Sequence, residues 1–426
     1  MKVLVVGGGG REHALVWRLA RDPDVGEVLA APGNVGIARE LRCIPVATED
    51  AEALAAVVED ELVDLTVVGP EAPLIAGLAD ELRRRGLPVF GPTAAGARLE
   101  GSKAWTKALC ERHGIPAAGS RAVTTMQAGL DALDAFGPPY VVKADGLAAG
   151  KGVVIAEDRA DAVDALEACL VRGAFGEAGA TVLVEEHLTG REVSAFALTD
   201  GSRSVPLAMA QDFKRVRDGD AGPNTGGMGA YSPVPFVGAA IAERIWSDVL
   251  ARTAEALHAE GIDYRGVLYA GLMLTPDGPR LLEYNCRFGD PETQVLMPRI
   301  SSGLGRALLA CAEGGLGEAA VPLDDGACVT VVAASGGYPG PYPTGIEISG
   351  LDEAAAIEDA VVFHAGTAER QGRVVTSGGR VLAVSGRGDT IGEARATAYE
   401  ALSCIAFEGM QHRRDIAQAA TEEERG

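Results

Sequence analysis

At 426 residues the chain is too long for one hydrophobic core, and roughly two to four domains are expected. Apolar residues make up 47% of it and glycines number 56, the composition of a globular α/β protein. A net charge of −22 argues against non-specific binding to nucleic acid or an anionic membrane, so any phosphate-bearing ligand must be held by local cations.

Lys2–Val6 reads as a buried parallel strand, Gly7–Gly10 as the turn after it, and Arg11–Arg21 as the helix that follows. A helix N-terminus reached from a strand through glycines is a ready anion site. A dinucleotide site fits poorly. After Gly7 and Gly9 that fingerprint needs a glycine at position 12, where Glu12 stands. The second strand, Val28–Ala31, also ends in Pro32-Gly33-Asn34 with no acid. The turn is read instead as a small-anion or substrate edge. Leu65–Val68 and Pro88–Phe90 repeat the pattern, running into Gly69-Pro-Glu-Ala-Pro73 and Gly91-Pro92. Loops beyond the carboxyl ends of parallel strands line the ligand crevice of an open α/β sheet, which makes Asn34 and Glu71 candidates to face a substrate. This first domain closes near Glu100.

Ser102 is placed as the N-cap of a helix opening at Lys103. Pro139–Lys143 is a strand that delivers Lys143 into Ala144–Gly152, and Val153–Ala156 leaves that loop as a second strand. A Gly-rich lid of this kind wraps phosphates with its backbone N–H groups. It is not a Walker A loop: three residues separate Gly146 from Gly150, and Lys151 is followed by Gly152. Lysine is scarce, with six against thirty-two arginines, so a retained lysine is expected to act as a compact charge at a phosphate. Lys103, Lys143, Lys151 and Lys214 sit beside glycines or polar loops and fit that role. Lys2 and Lys107 are read as remaining by chance.

Thr181–Leu188 reads as a strand whose end, Glu185-Glu186 and Leu188, offers backbone groups to an adenine edge, with Glu192 placed for ribose hydroxyls. Gln211–Arg215 and Gly222–Tyr231 read as a long irregular stretch, and long loops inside compact domains are usually functional, so a substrate loop is expected. A helix from Val237 to Glu260 leads to a hairpin, Gly266–Leu274 and then Leu281 onward, turning through Thr275–Pro279. Alternate residues of a strand share a face, so Glu283 and Asn285 point the same way, about 7 Å apart. A carboxylate and an amide oxygen side by side are hard donors that suit Mg²⁺ beside a nucleotide's phosphates. Arg287 shares that face if the strand continues, ready to meet a phosphate or carboxylate bidentately. Asp290-Pro291-Glu292 reads as N-cap, first helical residue and first-turn acid.

Composition changes near Val321. Cys328–Ala334, Val361–His364, Arg373–Thr376 and Arg380–Ser385 read as strands of a smaller α+β domain, closed by a helix from Thr390 to Ile405. His364, alone at a strand end, is read as structural. Seven cysteines with no CxxC pair are neither a disulfide framework nor a zinc site and suit a reducing cytosol. No targeting segment is visible, and no apolar run reaches the roughly 18 residues that span a bilayer, so a cytoplasmic location is expected.

Taken together, Lys103, Lys143, the Gly146–Val153 loop, Glu185–Leu188 and the Glu283-x-Asn285 pair resemble the ATP-grasp ligases. Arg287-Phe-Gly-Asp-Pro-Glu-Thr-Gln294 is similar to the signature of the phosphoribosylamine–glycine ligase (glycinamide ribonucleotide synthetase) family. Gly8–His13, Val68–Pro73, Leu99–Lys103, Lys143–Gly152 and Asn224–Pro233 look like that family too, and the resemblance covers nearly the whole chain. It implies a Rossmann-like N-terminal parallel sheet over residues 1–100 and a central ATP-grasp fold over 101–325, with a mobile lid subdomain at about 120–190. A small C-terminal α+β domain would fill 326–426.

The implied reaction turns ATP, glycine and 5-phosphoribosylamine into glycinamide ribonucleotide, ADP and phosphate, with Mg²⁺ or Mn²⁺. Under the resemblance Glu283 and Asn285 hold the metal. Lys103, Lys143, Gly146, Gly150, Lys151, Gly152, Glu185, Glu186, Leu188, Glu192, Lys214 and Asn224 bind ATP. Gly8, Gly10, Glu12, Asn34, Glu71, Asp212, Gly226, Gly227, Met228, Arg287 and Asp290 bind glycine and the ribose phosphate. Arg287 also steadies the transferring phosphoryl group, and Lys143 and Lys151 share in catalysis. Many ATP-grasp enzymes carry a third acidic ligand on the strand before Glu-x-Asn. Val267–Leu274 has no acid, so water and phosphate would complete the shell. Partners are expected to be small molecules alone, with a monomer expected and a dimer as the alternative.

The nearest rival is another ATP-grasp carboxylate–amine ligase or a carboxylase of purine biosynthesis. A biotin-dependent enzyme would need a separate carrier, because no lysine follows Lys214. A non-enzymatic nucleotide-binding module built on the first domain leaves Glu283–Gln294 unexplained.

Overall fold

A computed structural model describes residues 1–146, 152–317 and 321–425. Lys2–Gly7, Glu27–Pro32, Leu65–Val68 and Val89–Phe90 form a parallel four-stranded sheet in the order second, first, third, fourth. Val3–Val6 are fully buried, as strands covered on both faces must be. The helix Gly10–Leu19 leaves the first strand through a turn that tolerates no side chain at Gly8. A Cβ there would lie 2.3 Å from the Gly33 carbonyl oxygen.

Ser102 caps the helix Lys103–His113, its hydroxyl accepting from the Trp105 N–H. Beyond it, Ser120–Val123, Val182–Glu185, Tyr140–Ala144 and Val153–Ala156 pair antiparallel in that spatial order. Helices Met126–Phe136 and Arg159–Leu170 cover one face of this small sheet, meeting Val142, Val182 and Val184. Strand alternation turns Lys143, Leu183 and Glu185 to the opposite face.

The central sheet has eight strands, all antiparallel. Its spatial order is Gly278–Asn285, Arg265–Thr275, Arg191–Asp200, Ser204–Asp212, Gly229–Ser232, Ala327–Ala334, Arg380–Gly388 and Ala360–His364. The last three belong to the C-terminal stretch. They extend the central sheet instead of closing one of their own, because Gly229–Ser232 offers them a free edge. Gly229 allows the approach: a Cβ there would sit 2.6 Å from the Thr330 carbonyl oxygen.

The stretch expected to be irregular after Asp212 contains a short hairpin, Arg215–Arg217 with Ala221–Asn224, turning through Asp218–Asp220. Its clamp lies far along the chain. The buried Arg413 guanidinium pairs with Asp220 and Asp415, donates to the Arg215 carbonyl and stacks over Phe213. The helix expected at 237–260 runs as Ala239–Arg244, a π-helical section Ile245–Ala251, and Arg252–Ala259. The helix read from Asp290 begins instead at Thr293 and ends at Leu296. Asp290 is drawn away from capping because its carboxylate pairs with Arg380 and accepts from the Gln294 side chain. Among the described residues no helix is long and apolar enough to cross a membrane.

Candidate active site

A cavity of about 670 Å³ opens where the three stretches of chain meet. Arg11, Glu71 and Glu100 reach it from the first, Lys103, Gly152, Asp212, Glu283 and Asn285 from the centre, and Tyr338 and Arg380 from the last.

The hairpin strand Gly278–Asn285 supplies the oxygen donors. Tyr284 points into the core, and Glu283 and Asn285 flank it on the cavity side. Gly271 stands opposite Glu283 and leaves its carboxylate uncrowded. Among the described residues no group of three or more His, Cys, Asp or Glu side chains is arranged to hold a metal ion. The donor set is one carboxylate and one amide facing a cavity lined by both cations and carboxylates, Lys103 and Arg287 among the cations. This fits a hard divalent cation that takes its remaining ligands from phosphate and water.

Arg287 lies past the end of the strand yet reaches the cavity, because two carboxylates hold it. Its Nε donates to Glu71 at 3.2 Å and its Nη2 to Glu100 at 2.9 Å. Burial pushes the Glu100 carboxyl above the ordinary carboxylate range, against the pull of Arg287. Burial also raises Glu71, but Arg287 and Arg11 outweigh it and leave that group lowered. Nearby, Arg380 donates to the carbonyls of Gly226 at 2.6 Å and Asp290 at 2.7 Å. The Gly226 N–H donates to the Tyr338 hydroxyl at 3.0 Å. The Gly226 turn is therefore held from the C-terminal stretch.

On the cavity floor Lys214 pairs with Glu192 and Asp212. Burial pushes Asp212 up to about 7, with Lys214 opposing. Glu292, read as a first-turn acid, precedes the helix and is buried, where it accepts from the Tyr269 and Ser194 hydroxyls.

On the side of the four-stranded antiparallel sheet Lys103 lines the cavity, and its ammonium donates to the Gly146 carbonyl at 3.3 Å. Lys143 is turned away, onto Glu185 at 2.9 Å. Lys107 is not a chance survivor. It is buried, pairs with the same Glu185 oxygen at 3.2 Å and donates to the Ala118 carbonyl. Burial raises Glu185, but the two lysines outweigh it and leave its pKa lowered.

Several expected residues are engaged elsewhere. The buried Glu12 accepts from the Gly9 N–H and pairs with Arg11, closing the helix turn. The Asn34 amide caps Val35–Glu40 by accepting from Ile37 and donates to the Gly8 and His364 carbonyls. Gly8 and Gly10 shape that turn. Gly227 packs on Pro291 at a positive φ, and Met228 is fully buried in the core. Asn224 pairs with Arg215 in the hairpin, Leu188 is buried, and Glu186 accepts from the Gly119 N–H and from Arg280. Gly150 and Lys151 lie outside the described residues. His364 is buried, its pKa pushed down to about 3 by burial, and its N–H donates to His13.

The sequence reading missed Arg11, Glu100, Lys107, Tyr269, Glu292, Tyr338 and Arg380. Arg11, Glu100 and Glu292 lay inside the motifs that carry the family resemblance. Lys107 carried a signal in the scarcity of lysine. Tyr338 and Arg380 had none, since they meet the cavity only after the sheet is assembled.

Three family models cover most of the chain. The N domain of phosphoribosylglycinamide synthetase matches residues 1–100, its ATP-grasp (A) domain 101–293 and its C domain 328–419. The phosphoribosylamine–glycine ligase of Nostoc sp. is 50% identical over 98% of this chain and 99% of its own. That of Pseudomonas aeruginosa is 49% identical over the full length of both. The crystal structure of the phosphoribosylamine–glycine ligase from Thermotoga maritima superposes with a TM-score of 0.86 at 38% identity, covering 98% of this chain and 100% of that one. The biotin carboxylase domain of Hydrogenobacter thermophilus 2-oxoglutarate carboxylase, at 16% identity and a TM-score of 0.72 over 96% and 91% of the two chains, shares the fold.

Proposed function

The chain belongs to the phosphoribosylglycinamide synthetase family, and we infer that it is an ATP-dependent ligase of de novo purine biosynthesis. It joins glycine to 5-phosphoribosylamine through a glycyl phosphate and yields glycinamide ribonucleotide, ADP and phosphate. One observation carries the reading: a carboxylate–amide oxygen pair and a doubly clamped arginine face one cavity with Lys103, in a chain similar along its length to ligases of that name. The enzyme uses ATP and a divalent metal, Mg²⁺ or Mn²⁺ in our reading.

A carboxylate and an amine do not condense unaided in water. In the first step a glycine carboxylate oxygen attacks the γ-phosphorus of ATP, and ADP leaves with the electron pair of the broken P–O bond. In the second the ribosylamine nitrogen attacks the acyl carbon, the C–O bond to phosphate breaks, and the nitrogen loses a proton. No side-chain nucleophile is needed. The protein positions the reactants, neutralises charge and excludes water.

We assign Glu283 and Asn285 to the divalent ion, which when bound neutralises charge on the triphosphate. Lys103 and Lys143, with the loop through Lys151, hold the phosphates. Arg287 steadies the transferring phosphoryl group, an orientation supported by Glu71 and Glu100. Asp212, Asp290 and the Gly226 turn contribute to the glycine and ribosylamine sites. We place the divisions at 1–100, 101–325 and 326–426, and favour a cytoplasmic monomer acting on small molecules.

The test is ADP release with glycine alone, phosphoribosylamine alone, and both. Steady turnover should require both. Turnover supported by bicarbonate in place of glycine would favour a carboxylase, and no turnover under any condition would leave only a binding module.

A further inference from the structure

We propose that Lys107 is a positioning residue that keeps the Glu185 carboxylate compensated while Lys143 leaves it for the phosphates of ATP. The inference rests on the reading of Lys143 as a phosphate ligand.

Three buried charges make the device. Glu185 is 1% exposed as a side chain, and Lys143 and Lys107 are 9% and 8% exposed. Both ammonium groups meet the same Oε2. The other oxygen, Oε1, is buried with no hydrogen-bond partner among the described residues. Were the carboxylate left alone, it would be an isolated buried charge, which proteins avoid.

The two lysines are not equivalent. Lys107 is fixed a second time, by the Ala118 carbonyl at 3.2 Å. Among the described residues Lys143 makes its one close ion pair with Glu185, and it also lies near enough to Glu192 to lower that carboxyl. It stands on a lid strand that runs directly into the Gly-rich loop. Lys107 itself lines the cavity but is tied to the Ala118 carbonyl as well as to Glu185, so we take Lys143 as the lysine that transfers to a phosphate and Lys107 as the one that stays. Lys107 comes from the helix Lys103–His113 and Glu185 from the lid strand Val182–Glu185, so the lasting pair also spans the two elements. Without Lys107, Lys143 would be held on Glu185 by the full attraction of an uncompensated carboxylate. That penalty enters when nucleotide binds, so it belongs in the KM for ATP.

Steady-state kinetics test this on the full-length enzyme. Lys107→Met should raise the ATP KM roughly tenfold, a larger change than in kcat or in the glycine KM. Adding Glu185→Gln keeps the backbone groups expected to meet the adenine edge, removes the charge that needs holding and should return the ATP KM to within about threefold of wild type. Lys107→Arg should keep most of the wild-type affinity. An unchanged ATP KM in Lys107→Met overturns the proposal. So does equal loss in every parameter, or a double variant worse than the single. Lys143→Ala separates the two readings. If it leaves ATP kinetics intact, the phosphate role itself fails. If it impairs them while Lys107→Met does not, only the role of Lys107 fails. Should Lys107→Met not fold by circular dichroism, the double variant decides: a near-wild-type ATP KM supports the proposal, and a tenfold rise overturns it.

Discussion

Replacing Glu283 with glutamine keeps the length of the side chain and one oxygen donor while removing its charge. Two protein donors face the proposed ion, and Glu283 is the charged one. Among the described residues no cluster of acids, histidines or cysteines stands ready to replace it. Losing one preorganised electrostatic contact costs about 10²- to 10³-fold in turnover. With a single charged ligand removed, kcat/KM should fall at least about 100-fold, or about 2.7 kcal/mol at 1.36 kcal/mol per decade. Stability should barely change. Glu283 is half-buried, and among the described residues its carboxylate makes no ion pair or hydrogen bond, so a shift within about 0.5 kcal/mol is expected. The assay is ADP release at saturating glycine and phosphoribosylamine, repeated across a Mg²⁺ titration. The variant should need more metal, and excess metal should recover part of the rate. A folded variant that turns over within threefold of wild type, with an unchanged metal requirement, would refute the assignment.

Lys143→Ala should lower turnover by about two orders of magnitude in the same assay, since it removes a cation that we propose reaches the phosphates. Arg413→Ala strips the hairpin at Arg215–Asn224 of its clamp and leaves Asp415 without its partner, so chemical denaturation should show a loss of about 2–3 kcal/mol. Arg413→Lys should not restore this, because an ammonium cannot form the planar fork to Asp415. The pKa of Asp212, about 7 in the folded chain, lies above its value of about 4 when unfolded. The native state therefore binds the extra proton. Stability relative to Asp212→Asn should fall as pH rises from about 4 to about 7 and level off above, and a flat difference would contradict the burial of that carboxylate. Gly8→Ala should lower the melting temperature measurably, because its Cβ meets a backbone oxygen that cannot swing aside.

Local chemistry made much of the site legible in advance. Strand alternation alone put Glu283 and Asn285 on one face, and the scarcity of lysine pointed to Lys103, which lines the cavity, and to Lys143, which is turned onto Glu185 instead. The same logic misplaced Lys107, because a lysine inside a regular helix carries no loop signal. Asp290-Pro291-Glu292 has the composition of a helix start, but the Arg380 pairing of Asp290 outweighs the cap. Glycine-rich composition after Asp212 suggested an irregular loop, whereas the hairpin there depends on an arginine nearly 200 residues away.

Short-range periodicity and turn chemistry thus determined which segments became strands and helices, and which oxygens and cations were available. Those rules act over a few residues, and one chain displays them openly. Partnership across the cavity was decided elsewhere. Arg287 between Glu71 and Glu100, Arg380 on the Gly226 turn and Lys107 beside Lys143 each join elements that only sheet assembly brings together. Burial then sets how strongly those charges act, and burial is a property of the packed molecule.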